Sequence, residues 1–231
     1  MQVGTEFVIL SGLMTITVSV AMSIFLGWKW LKQEVRLMTD LPLVFAISGI
    51  CQVLNAVFLT LPIIGVLEPS LELFRLRSIA IGGAIVPVTG AMLQIWASSK
   101  AKYHNRIVLV LAIYWFAVAL LGTSEALIMS LTIPPMLIVS LAMMVTFIIT
   151  WKTGRLKEVR SELMVITSII MIVSQIIRVP LMSTSLFYIP DILLMVSMIC
   201  LGLGIANPWY AREQREKHEE PPQMVQYTED Y

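Results

Sequence analysis

Charge is scarce in this chain. Only 13% of its 231 residues are Asp, Glu, Lys or Arg, while 58% are apolar. Soluble domains of this size carry about 25% charged residues. Half that number leaves too little polar surface to face water, so lipid must cover much of the molecule. The net charge of +1 gives no basic field for nucleic acid.

Chemistry-bearing side chains are few as well. The two cysteines, Cys51 and Cys200, lie deep in apolar runs and read as small buried hydrophobes, far from the spacing of a disulfide framework or zinc site. The two histidines, His104 and His218, fall between spans and in the tail, so a bis-His haem or di-metal membrane site lacks its ligands. There is no Gly-rich phosphate loop with its Lys, and no intramembrane Ser or Cys with a base beside it. The expectation is a non-enzymatic protein without a cofactor. The N-terminus lacks the basic region of a cleaved signal: Met1 to Phe7 holds Glu6 and no Lys or Arg.

Long apolar runs are abundant. A helix needs about 20 mostly apolar residues to cross about 30 Å of hydrocarbon. Seven runs qualify: 7–27, 43–66, 79–97, 107–123, 131–150, 163–183 and 190–207. The expected fold is therefore an all-α, multi-pass membrane bundle over residues 7–210. A short extracellular N-terminus (1–6) precedes it, and a charged cytoplasmic tail (211–231) follows it. Asp40 and Pro42 suit the start of the second span. Pro134 and Pro135 are expected to open the fifth, Pro190 opens the seventh, and Asn207-Pro208 ends it. The stretch Glu68–Arg77 reads as an amphipathic surface piece, with Glu72 and Arg75 three residues apart.

Basic residues set the orientation. Lys29, Lys32, Arg36, Lys100, Lys102, Arg106, Lys152, Arg155, Lys157, Arg160, Arg212, Arg215 and Lys217 flank the ends of spans one, three, five and seven. Only Arg75 and Arg77 fall on the other side, and Arg178 lies inside span six. Trp28, Trp30, Trp96, Trp151 and Trp209 gather at the basic ends, as interfacial indoles do. Both signals put the N-terminus outside and the tail in the cytoplasm, most simply of the cell membrane.

Two regions resemble one another. Trp28-Lys29, then Lys32 to Arg36, then Gln52-Val53-Leu54-Asn55 is echoed by Trp151-Lys152, then Leu156 to Arg160, then Gln175-Ile176-Ile177-Arg178. Trp96 and Trp209 close the third helix of each unit. A parallel repeat follows, with spans one to three matching five to seven and span four as connector. This three-plus-one-plus-three order resembles, in layout only, the SWEET sugar facilitators and the microbial rhodopsins. No Lys occurs between Lys157 and Lys217 to hold retinal in a seventh helix, and neither half has the Pro-Gln signature of the SWEET family. Asn207-Pro208-Trp209-Tyr210 resembles the Asn-Pro-x-x-Tyr element of G-protein-coupled receptors with its Tyr one place early.

Polar side chains inside lipid are costly and usually face the bundle interior. The candidates for a pocket are Gln52, Asn55, Gln94, Gln175 and Arg178, with Glu125 and Asp191 as ion-pair partners for Arg178. In spans two and six the polar pairs sit three residues apart, so both faces are expected to meet near the repeat axis. No Asp or Glu occupies a span centre, which disfavours proton coupling. Pro62, Pro87 and Pro180 break the ladders of spans two, three and six.

Three functions fit: a facilitator or channel for a small polar or anionic solute; a sensor or receptor with a cytoplasmic protein partner; or a subunit among other membrane proteins. All three share one topology. A tag fused after Tyr231 should react with antibody only after cells are permeabilised, and labelling of intact cells would contradict the assignment.

Overall fold

The computed structural model describes residues 5–154, 156, 158–181, 184, 186 and 188–210. The tail (211–231), with Arg212, Arg215 and Lys217, and the loop cations Arg155 and Lys157 lie outside the described residues. So do residues 1–4 of the N-terminal segment and Ser183, the end of the sixth sequence span. Among the described residues seven α-helices are long and apolar enough to cross a membrane: α1 (Thr5–Leu31), α2 (Leu41–Ile63), α3 (Leu71–Trp96), α4 (Ala101–Leu121), α5 (Glu125–Thr153), α6 (Ser161–Leu181) and α7 (Ile189–Ala206). A helix satisfies its backbone polar groups within itself, which lipid demands.

Three helices start six or more residues before their sequence limits: α3 and α5, where a hydroxyl caps them, and α4, where none does. Ser70 accepts from the Leu73 N–H at 3.3 Å, so α3 starts at Leu71 and absorbs the stretch read as a surface piece. The pair expected within it forms: Arg75 meets Glu72 at 2.6 Å, and Arg75 also donates to the Gly122 carbonyl at the end of α4. Ser124 caps α5 in the same way, so Pro134 and Pro135 lie inside that helix instead of opening it. Pro135 has no N–H for the Leu131 carbonyl four residues back. The hydroxyl of Tyr114, from α4, donates to that carbonyl at 2.8 Å. Asp40 does precede α2, yet its carboxylate turns back to the Leu37 N–H at 2.8 Å and caps no helical donor. Asn207 closes α7 in the left-handed conformation, with its N–H on the Leu203 carbonyl.

Six helices form a closed ring in which α1 packs against α2 and α7, α2 against α3, α3 against α5, α5 against α6, and α6 against α7. Helix α4 stands outside, mainly against α3. Apolar residues such as Ile24, Leu121, Ile138 and Ile176 face outward. In water they would form a large exposed apolar patch; here they make a lipid-facing coat.

Close approach inside the ring depends on small and hydroxylic residues, as in membrane bundles generally. On α1, Ser11, Thr15, Ser19 and Ser23 recur every four residues and are all buried. On the α3–α4 contact, Trp115 is 2% exposed and its indole N–H donates to the Ser78 carbonyl at 2.7 Å. Its ring fills the space where a side chain of Gly82 would stand.

The molecule is dry at one end and polar at the other. The hydrophobic core, which includes Leu26, Phe45, Val88, Met92, Phe147, Met164 and Ile205, lies toward the end where α1, α3, α5 and α7 finish. At this basic end Lys29 donates to the Ile205 and Ala206 carbonyls, and the Arg160 N–H reaches the Gly204 carbonyl at 2.8 Å. These contacts satisfy the terminal acceptors of α7 and place cations at its negative end. The Trp96 indole donates to Thr146 at 2.7 Å, joining α3 to α5 there.

A Cβ at Gly82 would overlap the Trp115 indole, whereas one at Gly27 would meet nothing within 4 Å. Gly82→Leu should therefore cost about 1–3 kcal/mol, seen as a lower melting temperature in detergent. Gly27→Ala should leave the melt unchanged, and identical melts would refute the packing role of Gly82.

Candidate functional site

Most polar side chains singled out in the spans gather toward the end opposite the basic one. Asn55 lies on α2, one turn from Gln52, and its Oδ1 faces the Arg77 Nε–H at 3.5 Å. Arg178, on the last turn of α6, donates to Asp191 Oδ1 on the first turn of α7 at 2.6 Å. Both partners are largely buried, with 19% and 10% of their side chains exposed. The Asp191 carbonyl accepts from Thr15 of α1 at 3.1 Å, and the Ser174 hydroxyl donates to the Pro190 carbonyl at 2.8 Å. Arg178 lies close enough to Arg77 for the like charges to repel, and Glu125 close enough to attract Arg77. Helices α1, α2, α3, α6 and α7 therefore all contribute to one polar cluster.

Of the two partners expected for Arg178, Asp191 makes the ion pair. Glu125 is exposed at the start of α5 and acts on Arg77 through space. Placing Arg178 on α6 and Asp191 at the opening of α7 makes the pair a link between consecutive helices. A carboxylate and a guanidinium in this setting support one another; each alone would be a buried charge with little water to solvate it.

Gln52 is the entry point to a cavity of about 80 Å³. Its wall includes Phe45, Ser48, Ala84, Val88, Ser140, Met171, Leu194 and Met198, drawn from α2, α3, α5, α6 and α7. The wall is overwhelmingly apolar, with Gln52, Ser48 and Ser140 as its polar side chains. A water molecule needs roughly 10–15 Å³ of such space, so the cavity has room for a few waters or one small molecule. Phe45, Val88, Met143 and Leu201 line it and also belong to the dry core, which forms its floor toward the basic end.

Two candidates stand elsewhere. Gln94 is exposed near the basic end of α3, where its Oε1 accepts from Thr39 at 2.8 Å. Gln175 is exposed on the outside of α6. The buried face of α6 runs through Met164, Ser168 and Ser174, and the next residue is turned by about 100°. At this level Ser174 points inward and Gln175 outward. The polar faces of α2 and α6 therefore do not meet as the sequence pairing implied.

Arg77 is a site residue that sequence reasoning missed, having placed it in an amphipathic surface piece before span three. The signal was present: Ser70 as cap and Glu72 in the first turn start a helix that carries Arg77 inward. Thr15 and Ser174 were missed too, because hydroxyls are common in spans and only their partners distinguish them.

Among the described residues no group of three or more His, Cys, Asp or Glu could hold a metal ion. Compared with known proteins, the chain matches no family model, no curated protein and no solved structure.

Removing one member of a buried ion pair leaves the other uncompensated and typically costs about 3–5 kcal/mol, whereas apolar replacement of both is often neutral. Asp191→Asn should lower the unfolding free energy by that order in detergent, and Arg178→Met with Asp191→Leu should recover most of it. An Asp191→Asn protein as stable as the parent would show that the pair carries no such weight.

Proposed function

We propose that the chain is a non-enzymatic facilitator, or channel, that passes a small polar or anionic solute across the cell membrane between two three-helix halves. The halves are α1–α3 and α5–α7, with α4 as connector, the polar cluster outside and the basic end in the cytoplasm. The observation that carries this reading is the cavity below the cluster, whose wall comes from both halves and whose polar side chains are Gln52, Ser48 and Ser140.

Matching contacts support the division into halves. Ser48 of α2 donates to the Ala84 carbonyl of α3 at 3.0 Å, and Thr167 of α6 donates to the Ser197 carbonyl of α7 at 3.3 Å. Two turns farther toward the polar end, Asn55 meets Arg77 and Ser174 meets the Pro190 carbonyl. The neighbour relations correspond as well: α1 with α2, α2 with α3 and α1 with α7 have counterparts in α5 with α6, α6 with α7 and α5 with α3. These correspondences support a parallel repeat about an axis along the membrane normal, where transporter sites commonly lie.

The wall then selects solutes. An apolar surface offers a hydrated inorganic ion no replacement for its water, so bare cations are excluded by desolvation cost. A small molecule with one polar head and little else finds hydrogen bonds at one end and apolar contact at the other. Pro62, Pro87 and Pro180 interrupt the ladders of three ring helices and provide bending points.

Proteoliposomes should take up a small polar solute faster than protein-free vesicles. Gln52→Leu removes an amide worth about 1 kcal/mol and should slow uptake about fivefold. Ala84→Leu, which fills the cavity, should abolish it. Uptake equal to protein-free vesicles for neutral and anionic solutes alike, or no response to Ala84→Leu, would overturn the reading.

A further inference from the structure

We propose that the polar cluster is a binding site for the carboxylate of a short-chain monocarboxylate. Arg77 and Asn55 are its direct ligands, and its alkyl end enters the cavity beside Gln52. The inference rests on the facilitator reading and names its substrate class.

Charge comes first. Two guanidiniums, Arg77 and Arg178, lie in the cluster, with one largely buried carboxylate, Asp191; Glu125 is exposed. Arg178 is engaged by Asp191 at 2.6 Å. Arg77 has no carboxylate within ion-pair distance among the described residues, and its Nε–H faces a neutral amide oxygen at 3.5 Å. A single negative charge beside Arg77 would pair this half-buried guanidinium as Asp191 pairs Arg178.

Shape comes second. A guanidinium presents a planar fork that fits a carboxylate through paired N–H groups, and Arg178 already holds a carboxylate here by one hydrogen bond, to Asp191 Oδ1. Asn55 uses its oxygen on Arg77, which leaves its amide nitrogen to donate to an incoming oxygen. The two ligands thus present donors from one contact. Helix α2 then sets the axis of the ligand. One turn from Asn55, Gln52 lines a chamber of about 80 Å³ walled by groups such as Leu194 and Met198. A polar head above an apolar chamber of that size describes a molecule with a carboxylate and a few carbons. A long acyl chain exceeds the volume, and an inorganic anion leaves the chamber unused.

Asp191 is a built-in competitor in this scheme, because its charge offsets the cationic field that an arriving carboxylate would feel. Neutralising it should strengthen binding, an effect that loss of folding cannot mimic.

The test is calorimetric titration of the full chain, in nanodiscs of phosphatidylcholine, with propionate, propionamide and chloride. Propionate should bind saturably, while propionamide, of the same shape without charge, and chloride should each bind at least tenfold more weakly. Arg77→Gln should weaken propionate tenfold or more, because a charge-assisted hydrogen bond is lost, and Arg77→Lys should fall between. Asp191→Asn should tighten binding several-fold. No propionate binding, equal binding of propionamide or chloride, or indifference to both Arg77→Gln and Asp191→Asn would overturn the proposal. Displacement of propionate by phosphatidylserine added to the disc would reassign the site to a lipid headgroup and overturn it too. The same protein in liposomes separates the two readings. Uptake of propionamide without propionate binding would sink the carboxylate site alone, and propionate binding without uptake of either compound would sink the facilitator.

Discussion

A charge placed among lipid-facing helices has little water to turn to, and the arrangement of this molecule follows from where its charges find protein partners instead. Arg178 and Asp191 meet across α6 and α7 at 2.6 Å. Their pairing fixes the relative height of those two helices and, through the Asp191 carbonyl, ties α7 to Thr15 of α1. Arg77 reaches Asn55 and so joins α3 to α2 at the same end. At the basic end the Lys29 ammonium and the Arg160 backbone N–H do a different task, supplying donors to the terminal carbonyls of α7. At that same end lies the hydrophobic core, which needs no polar partner.

That division makes the bundle stiff at one end and adaptable at the other. Apolar side chains such as Phe147 and Ile205 interlock with almost no exposure, and a packed interior of this kind resists small displacement. Hydrogen bonds among hydroxyls, amides and guanidiniums can exchange partners without opening a void. Small displacements are therefore easier to accommodate around Asn55 and Arg178 than around Phe45 and Leu201.

Much of the architecture was legible because lipid imposes a simple rule on length and hydropathy. All seven spans were found, and the helical segment of each overlaps its apolar run. Hydropathy alone misplaced three starts: it cannot see that Ser70 and Ser124 satisfy the first N–H groups of α3 and α5 well before the apolar window, and it set the start of α4 at 107 although that helix begins at Ala101. Pro134 looked like a start because proline is tolerated in a first turn. Reading it as interior requires knowing that Tyr114 supplies a donor from a neighbouring helix, a tertiary fact. The candidate site was half visible. Arg178, Asp191, Asn55 and Gln52 stood out as polar letters in apolar runs. Gln175 was drawn in by sharing a run with Arg178, although side chains three residues apart still diverge by about 60°, enough to turn one out of the bundle.

Helix α4 stands outside the ring, and its two neighbours hold it unequally. On the α3 side Trp115 is seated over Gly82 with its indole bonded to Ser78, while on the α5 side the contact is slighter and includes the single hydroxyl bond from Tyr114 to Leu131. Helix α4 is thus mechanically tied to α3. Any sliding of α3 past α5 would carry α4 along and concentrate the slip on the thin seam beside α5.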